Sequence, residues 1–148
     1  MNKDKLLKLM DEIPFFREMD GDDRAHLLTY ENHWMQFKPQ EKILKEDEVD
    51  YGFFVLLEGK VSVIRGKPTE VSLAQLVPGS MFGEITMKAK RPRTSSIEAD
   101  EEVTVFKVDI RLLDKLSPEM IIKIKDQIIN LVITRLDEVN NRLSSFIR

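Results

Sequence analysis

Pro78-Gly79-Ser80-Met81-Phe82-Gly83-Glu84-Ile85-Thr86, followed nine residues after Glu84 by Arg93-Thr94-Ser95-Ser96-Ile97, gathers the residue types in this chain best suited to chemistry. Gly83 can adopt a backbone conformation closed to other residues and lets a ligand approach the main chain. Glu84 to Ala89 is compatible with a short helix, whose free N–H groups make an anion site. Arg93 completes that site, because a guanidinium is a planar fork that matches two phosphate oxygens. Thr94 and Ser95 supply hydroxyl donors for the same group. Glu84 is itself an anion and cannot bind phosphate, but it is a strong acceptor for a sugar hydroxyl. Together these residues describe a ligand that is part anion and part polyol. Lys88, Lys90 and Arg91 read as a solvated loop that also attracts anions.

Other chemistries find little support. His26 and His33 have no Ser or Cys nucleophile with supporting residues, so they read as surface or packing residues. The pairs Asp22-Asp23 and Glu101-Glu102 are expected in loops, facing water. Metal-ligand spacing is absent. No residue is assigned a catalytic role, and a binding module rather than an enzyme is expected.

The elements that must hold this segment are mainly strands. From Trp34 onward, short runs rich in β-branched and aromatic residues alternate with turn residues, predicting strands near 34–37, 42–45, 52–57, 60–65, 70–76, 95–99 and 102–108. Glu58-Gly59 and Gly66-Lys67-Pro68-Thr69 have hairpin spacing. Seven or eight such strands argue a β-roll or sandwich. Ahead of them, Leu6, Leu7, Leu9 and Met10 recur at helical spacing and stop at Pro14, predicting a helix over 3–12. Ile13-Pro14-Phe15-Phe16 reads as a buried joint, and Asp20-Gly21-Asp22 as a cap ahead of a second helix from Arg24 to Tyr30.

After a short helical stretch from Asp109 to Leu116, Ser117-Pro118 opens a long final helix. Its first half carries two apolar stripes, Ile121, Ile124, Ile128 and Leu131 on one face and Ile122, Ile129 and Val132 on another. Two apolar faces need two partners. Read as heptads, Ile122, Ile129, Leu136 and Leu143 take the a positions, and Lys125, Val132, Val139 and Phe146 the d positions. The fold expected is mainly β with flanking helices. Residues 1–116 form a roll with N-terminal helices, and 117–148 a helix acting as lid, as homodimer contact through 122–146, or both.

The chain has 148 residues, enough for one domain and an accessory helix. Its 42% apolar content supports a core. The 23 basic and 26 acidic residues leave a net charge of -3, so nucleic acid is not the default partner. Cysteine is absent, which removes thiol chemistry and agrees with a cytoplasmic location. No signal peptide or bilayer-spanning run is visible, and no membrane partner is expected.

The segment around Glu84 and Arg93 resembles the phosphate-binding cassette of the cyclic-nucleotide-binding domain family, that of catabolite activator protein and the protein kinase A regulatory subunits. The family pattern is Phe-Gly-Glu, a short helix and loop, then Arg-(Ala/Ser/Thr)-Ala. Ile13-Pro14-Phe15-Phe16, the hairpin from Phe54 to Val63, and Leu76-Val77-Pro78-Gly79 are similar to the family's neighbouring motifs.

The resemblance implies that Glu84 binds the ribose 2′-hydroxyl and Arg93 the cyclic phosphate. Gly83 and Ile85 add backbone contacts, and Phe82, Thr86, Thr94 and Ser95 complete the set. It points to cAMP ahead of cGMP as ligand, with no cofactor. Val71 and Leu73 are expected to line the base, with Thr134, Arg135 and Glu138 covering it from the final helix. Gln40 and Asp47 stand where turn glycines are usual, and Ser95 where Ala is. An effector domain or protein is a further expected partner. Some family members carry a helix-turn-helix after the long helix; this sequence stops at Arg148, and direct nucleic-acid binding is not expected of it. The alternatives are a fragment of such a transcription regulator and a dimerisation domain with a vacant pocket.

Overall fold

The computed structural model describes residues 1–46, 52–66, 71–83 and 95–147. Helix α1 spans Lys3–Asp11, with the Asn2 side chain accepting from the Lys5 N–H at 3.2 Å, and buries Leu6 and Met10. Pro14–Phe16 form a 3₁₀ turn that drives Phe15 and Phe16 inward. Helix α2 spans Gly21–Leu28, earlier at both ends than Arg24 to Tyr30. The cause is a reciprocal cap: the Asp23 N–H donates to Asp20 Oδ1 at 2.8 Å, and the Asp20 N–H donates to Asp23 Oδ2 at 3.2 Å. Asp23 is therefore a half-buried helix residue and not the water-facing loop carboxylate expected. A second 3₁₀ turn, Glu31–His33, leads into the strands.

Eight strands follow among the described residues: β1 (Trp34–Phe37), β2 (Lys42–Leu44), β3 (Phe53–Glu58), β4 (Val61–Arg65), β5 (Val71–Leu76), β6 (Met81–Phe82), β7 (Ser96–Ala99) and β8 (Val103–Val108). They form two four-stranded sheets, ordered β1-β8-β3-β6 and β2-β7-β4-β5, with every pairing antiparallel. This is the β-roll expected. β6 was not foreseen, because two residues before a glycine carry no readable period.

The unbroken run Phe53 to Leu57 is explained by its position. Successive strand residues point to opposite faces, and β3 is covered on both. Phe54 and Leu56 join Val61, Phe82, Ile97, Ala99, Val103 and Val105 between the sheets. Phe53, Val55 and Leu57 join Phe16, Trp34, Phe106 and the helices in a second core outside the first sheet. There the Trp34 and Phe106 rings stack at 4.3 Å between centroids, and Trp34 Nε1 donates to the Leu27 carbonyl at 3.0 Å. His33 is buried, and its Nδ1 donates to the Lys107 carbonyl at 3.0 Å.

Helix α3 (Ile110–Leu113) is capped by Asp109, whose carboxylate accepts from the Leu112 N–H at 3.0 Å. Helix α4 spans Pro118–Ile147, with Ser117 Oγ accepting from the Met120 N–H at 3.2 Å. Met120 and Ile124 are buried in the outer core, and Ile121, Ile128 and Leu131 pack against it. The other stripe, with Ile122, Ile129, Val132, Leu136, Val139 and Leu143, is exposed. One of the two predicted faces is thus covered by the chain itself. Among the described residues no helix is long and apolar enough to cross a membrane, and no group of His, Asp or Glu could hold a metal ion.

Candidate functional site

The short connections 38–41 and 77–80 join edge to edge, so β1 and β2 share one margin of the roll and β5 and β6 the other. Between the sheets, Val61, Ile97 and Ala99 are buried, whereas Val63 and Leu76 are half-buried and Ala74 is exposed. The interior is filled against β7 and thins toward β5. β6 lies at that same thin margin, and Gly83 follows it.

β6 is fixed by its pairing with β3, where Phe54 lies opposite Phe82 and Val55 opposite Met81. The Phe54 and Phe82 rings stack at 5.4 Å. Gly79 has a φ of 97° and Gly83 a φ of 90°, a left-handed conformation that favours glycine. Two such turns set the direction in which the chain reaches β6 and leaves it for Glu84. At the far end of the cassette, Ser95 is half-buried, and the β7 start is anchored by Ser96 Oγ, which accepts from the Glu46 N–H at 2.9 Å. Glu84, Ile85, Thr86, Arg93 and Thr94 lie outside the described residues, as do Lys88, Lys90, Arg91 and Asp47. Of the proposed cassette residues, the structure therefore places Phe82, Gly83 and Ser95.

The residues expected around a base divide sharply. In the β4–β5 ladder Val63 faces Ala74, and Ile64 faces Ser72, so Leu73 is the extra residue of a bulge. It is more than half exposed. Val71 lies opposite Arg65 in the register. Thr134 is exposed, and its hydroxyl donates to the Asn130 carbonyl of its own helix at 2.9 Å. Arg135 reaches the roll instead: its guanidinium donates to the Met81 carbonyl, one residue ahead of Phe82. Burial pushes the Arg135 guanidinium below its ordinary value, partly offset by Glu138 one helical turn on.

Residues 34–117, β1 through the start of the final helix, match the family model of the cyclic nucleotide-binding domain. The chain belongs to that family. The cyclic nucleotide-binding domain fold is also what solved structures resemble. A cyclic nucleotide-binding domain from Methylobacillus flagellatus KT superposes with a TM-score of 0.73 at 19% identity, over 95% of this chain and 81% of that one. The Thermus thermophilus catabolite activator protein gives 0.70 at 21% identity, over 88% and 62%. In sequence, the chain is 26% identical over 117 residues to the cAMP-dependent protein kinase type II regulatory subunit of Drosophila melanogaster. That alignment covers 74% of this chain and only 29% of the fly protein.

Proposed function

We propose that this cyclic nucleotide-binding domain is a ligand-gated regulatory module that takes up cAMP, in preference to cGMP, and passes the event to α4. The observation that carries this reading is the placement of Phe82 and Gly83. A strand fixed to β3 delivers them to the thin margin of the roll, immediately before Glu84. In the proposed complex Arg93 pairs with the cyclic phosphate, Glu84 accepts from the ribose 2′-hydroxyl, and main-chain groups of Gly83 and Ile85 add contacts. Thr86, Thr94 and Ser95 supply hydroxyls. The cAMP in the fly relative's name supports the choice of purine.

The exposed stripe of α4 supports a second part of the reading, a homodimer through 122–146. The a positions Ile122, Ile129, Leu136 and Leu143 and the d positions Val132, Val139 and Phe146 are all solvent-exposed. A parallel seam between two copies would cover them.

The ribose contact has a test that isolates it. Wild type and Glu84→Ala are titrated with cAMP and with 2′-deoxy-cAMP. If Glu84 accepts from that hydroxyl, losing the hydroxyl weakens wild type about tenfold or more and leaves the variant little changed. Equal losses in both proteins would contradict the assignment.

A further inference from the structure

Arg135 extends the inward stripe of α4. Met120, Ile124, Ile128 and Leu131 step along one face at helical spacing, and Arg135 is the next position on it. From Leu136 to Phe146 every residue is exposed. Arg135 is thus the last half-buried residue of the helix before its exposed end.

Its acceptor has a specific reason to need a donor. In an antiparallel ladder, alternate residues turn their N–H and C=O away from the partner strand. The Ser80 carbonyl accepts from the Leu56 N–H of β3 at 2.9 Å. The next carbonyl, that of Met81, therefore faces away from β3, on the side of a two-residue strand that no other strand pairs with among the described residues. The guanidinium meets it there. A charged donor on an edge carbonyl in a half-buried setting is among the stronger single hydrogen bonds available to such a strand.

We propose that Arg135 is a positioning residue for the cyclic-nucleotide site, holding β6 from the side away from β3 so that Phe82 and Gly83 present the cassette in its binding arrangement. The inference rests on the proposed reading of that site as a cyclic-nucleotide site. In this proposal Arg135 acts through the Met81 carbonyl rather than on the ligand, so docking of α4 and the placement of Phe82 and Gly83 are one equilibrium. When only a fraction of molecules holds the competent arrangement, apparent affinity falls by that fraction, whatever the ligand. Loss of a hydrogen bond to a charged group shifts such an equilibrium by roughly ten- to a hundredfold.

The experiment titrates the full chain and its Arg135→Met and Arg135→Lys variants with cAMP and with cGMP, and follows amide hydrogen exchange over 79–83 and 131–140 without ligand. Arg135→Met is expected to weaken both nucleotides by the same factor, about tenfold, and to speed exchange in both segments. Arg135→Lys keeps a charged donor and is expected to bind within about threefold of wild type. Binding by Arg135→Met within twofold of wild type would overturn the proposal, as would equal losses in the Lys and Met variants. A loss confined to one nucleotide would assign Arg135 to the base and overturn it too. If wild type takes up neither nucleotide, the functional reading falls, and exchange alone judges the contact: unchanged rates in Arg135→Met would then overturn it as well.

Discussion

Lys123 of α4 donates to Asp23 Oδ2 at 2.6 Å, and that oxygen also accepts from the Asp20 N–H that closes the cap of α2. One carboxylate thus starts one helix and tethers another, 100 residues further along the chain. The tether sits at the docked end of α4, beside the buried Ile124, and Arg135 holds the same helix at the opposite end of its contact with the roll.

The tether sets a pH dependence. The hydrogen bond from Lys123 is the main cause holding the Asp23 carboxyl below its ordinary 3.8, and the same hydrogen bond raises Lys123 above 10.5. The unfolded chain binds a proton at Asp23 first on acidification, so the contribution is full above 3.8 and is lost as pH falls through the depressed value. At the alkaline end it is full below 10.5 and is lost as pH rises through the raised value. The pair is near the surface, so the effect is small. Melting curves of wild type and Lys123→Met should differ most between these limits and converge as the pH falls through the depressed Asp23 value. A difference that grows on acidification would contradict the assignment.

Gln40 is the one non-glycine at positive φ among the described residues, at 74°. It stands where the family resemblance places a turn glycine. Its backbone is committed on both sides: its N–H donates to the Ala99 carbonyl at 2.7 Å, and the Glu41 carbonyl accepts from the Ala99 N–H at 2.9 Å. A side chain in the left-handed region costs about 1–2 kcal/mol, and glycine's extra unfolded-state freedom offsets part of the relief. Gln40→Gly should therefore stabilise the chain by about 0.5–1 kcal/mol in urea unfolding. Destabilisation would mean that the side chain outweighs the backbone conformation.

The two faces of α4 should respond differently to substitution. Ile124→Ala opens a cavity in the outer core and should cost roughly 2–5 kcal/mol. Leu136→Glu falls on the exposed stripe and should leave the monomer's fold intact while abolishing the homodimer, as read by light scattering across a concentration series. If wild type is monomeric at all concentrations, or if Leu136→Glu remains dimeric, the stripe is not that interface.

The roll was legible because its strands carry their burial in their residue types. Phe53 to Leu57 is apolar without alternation because both faces are covered. The hairpin expected at Glu58-Gly59 is not formed: β3 and β4 belong to different sheets, and Gly59, at a φ of 92°, turns the chain from one sheet to the other. At Gly59 a side chain would meet the Glu102 carbonyl at 2.5 Å. Features set by backbone geometry were not legible. β6 is too short to show a period, the bulge at Leu73 leaves no mark in residue type, and the α2 boundary depends on which of three aspartates caps. Arg135 was visible as a cation facing the roll. Its acceptor was not, since a main-chain carbonyl has no letter in the sequence. Phe82 closes β6 and Gly83 follows it at a left-handed φ, while Glu84 and Arg93 stand on the motif and the family match.

The central claim is that Glu84 and Arg93 make this chain a cyclic-nucleotide receptor, and calorimetric titration of wild type and Arg93→Ala with cAMP and cGMP tests it most directly. The expected result is saturable binding by wild type, tighter for cAMP, and a loss of about 2–5 kcal/mol in Arg93→Ala from leaving the phosphate unpaired in the site. Unchanged affinity in Arg93→Ala, or no heat of binding from wild type with either nucleotide, would contradict it.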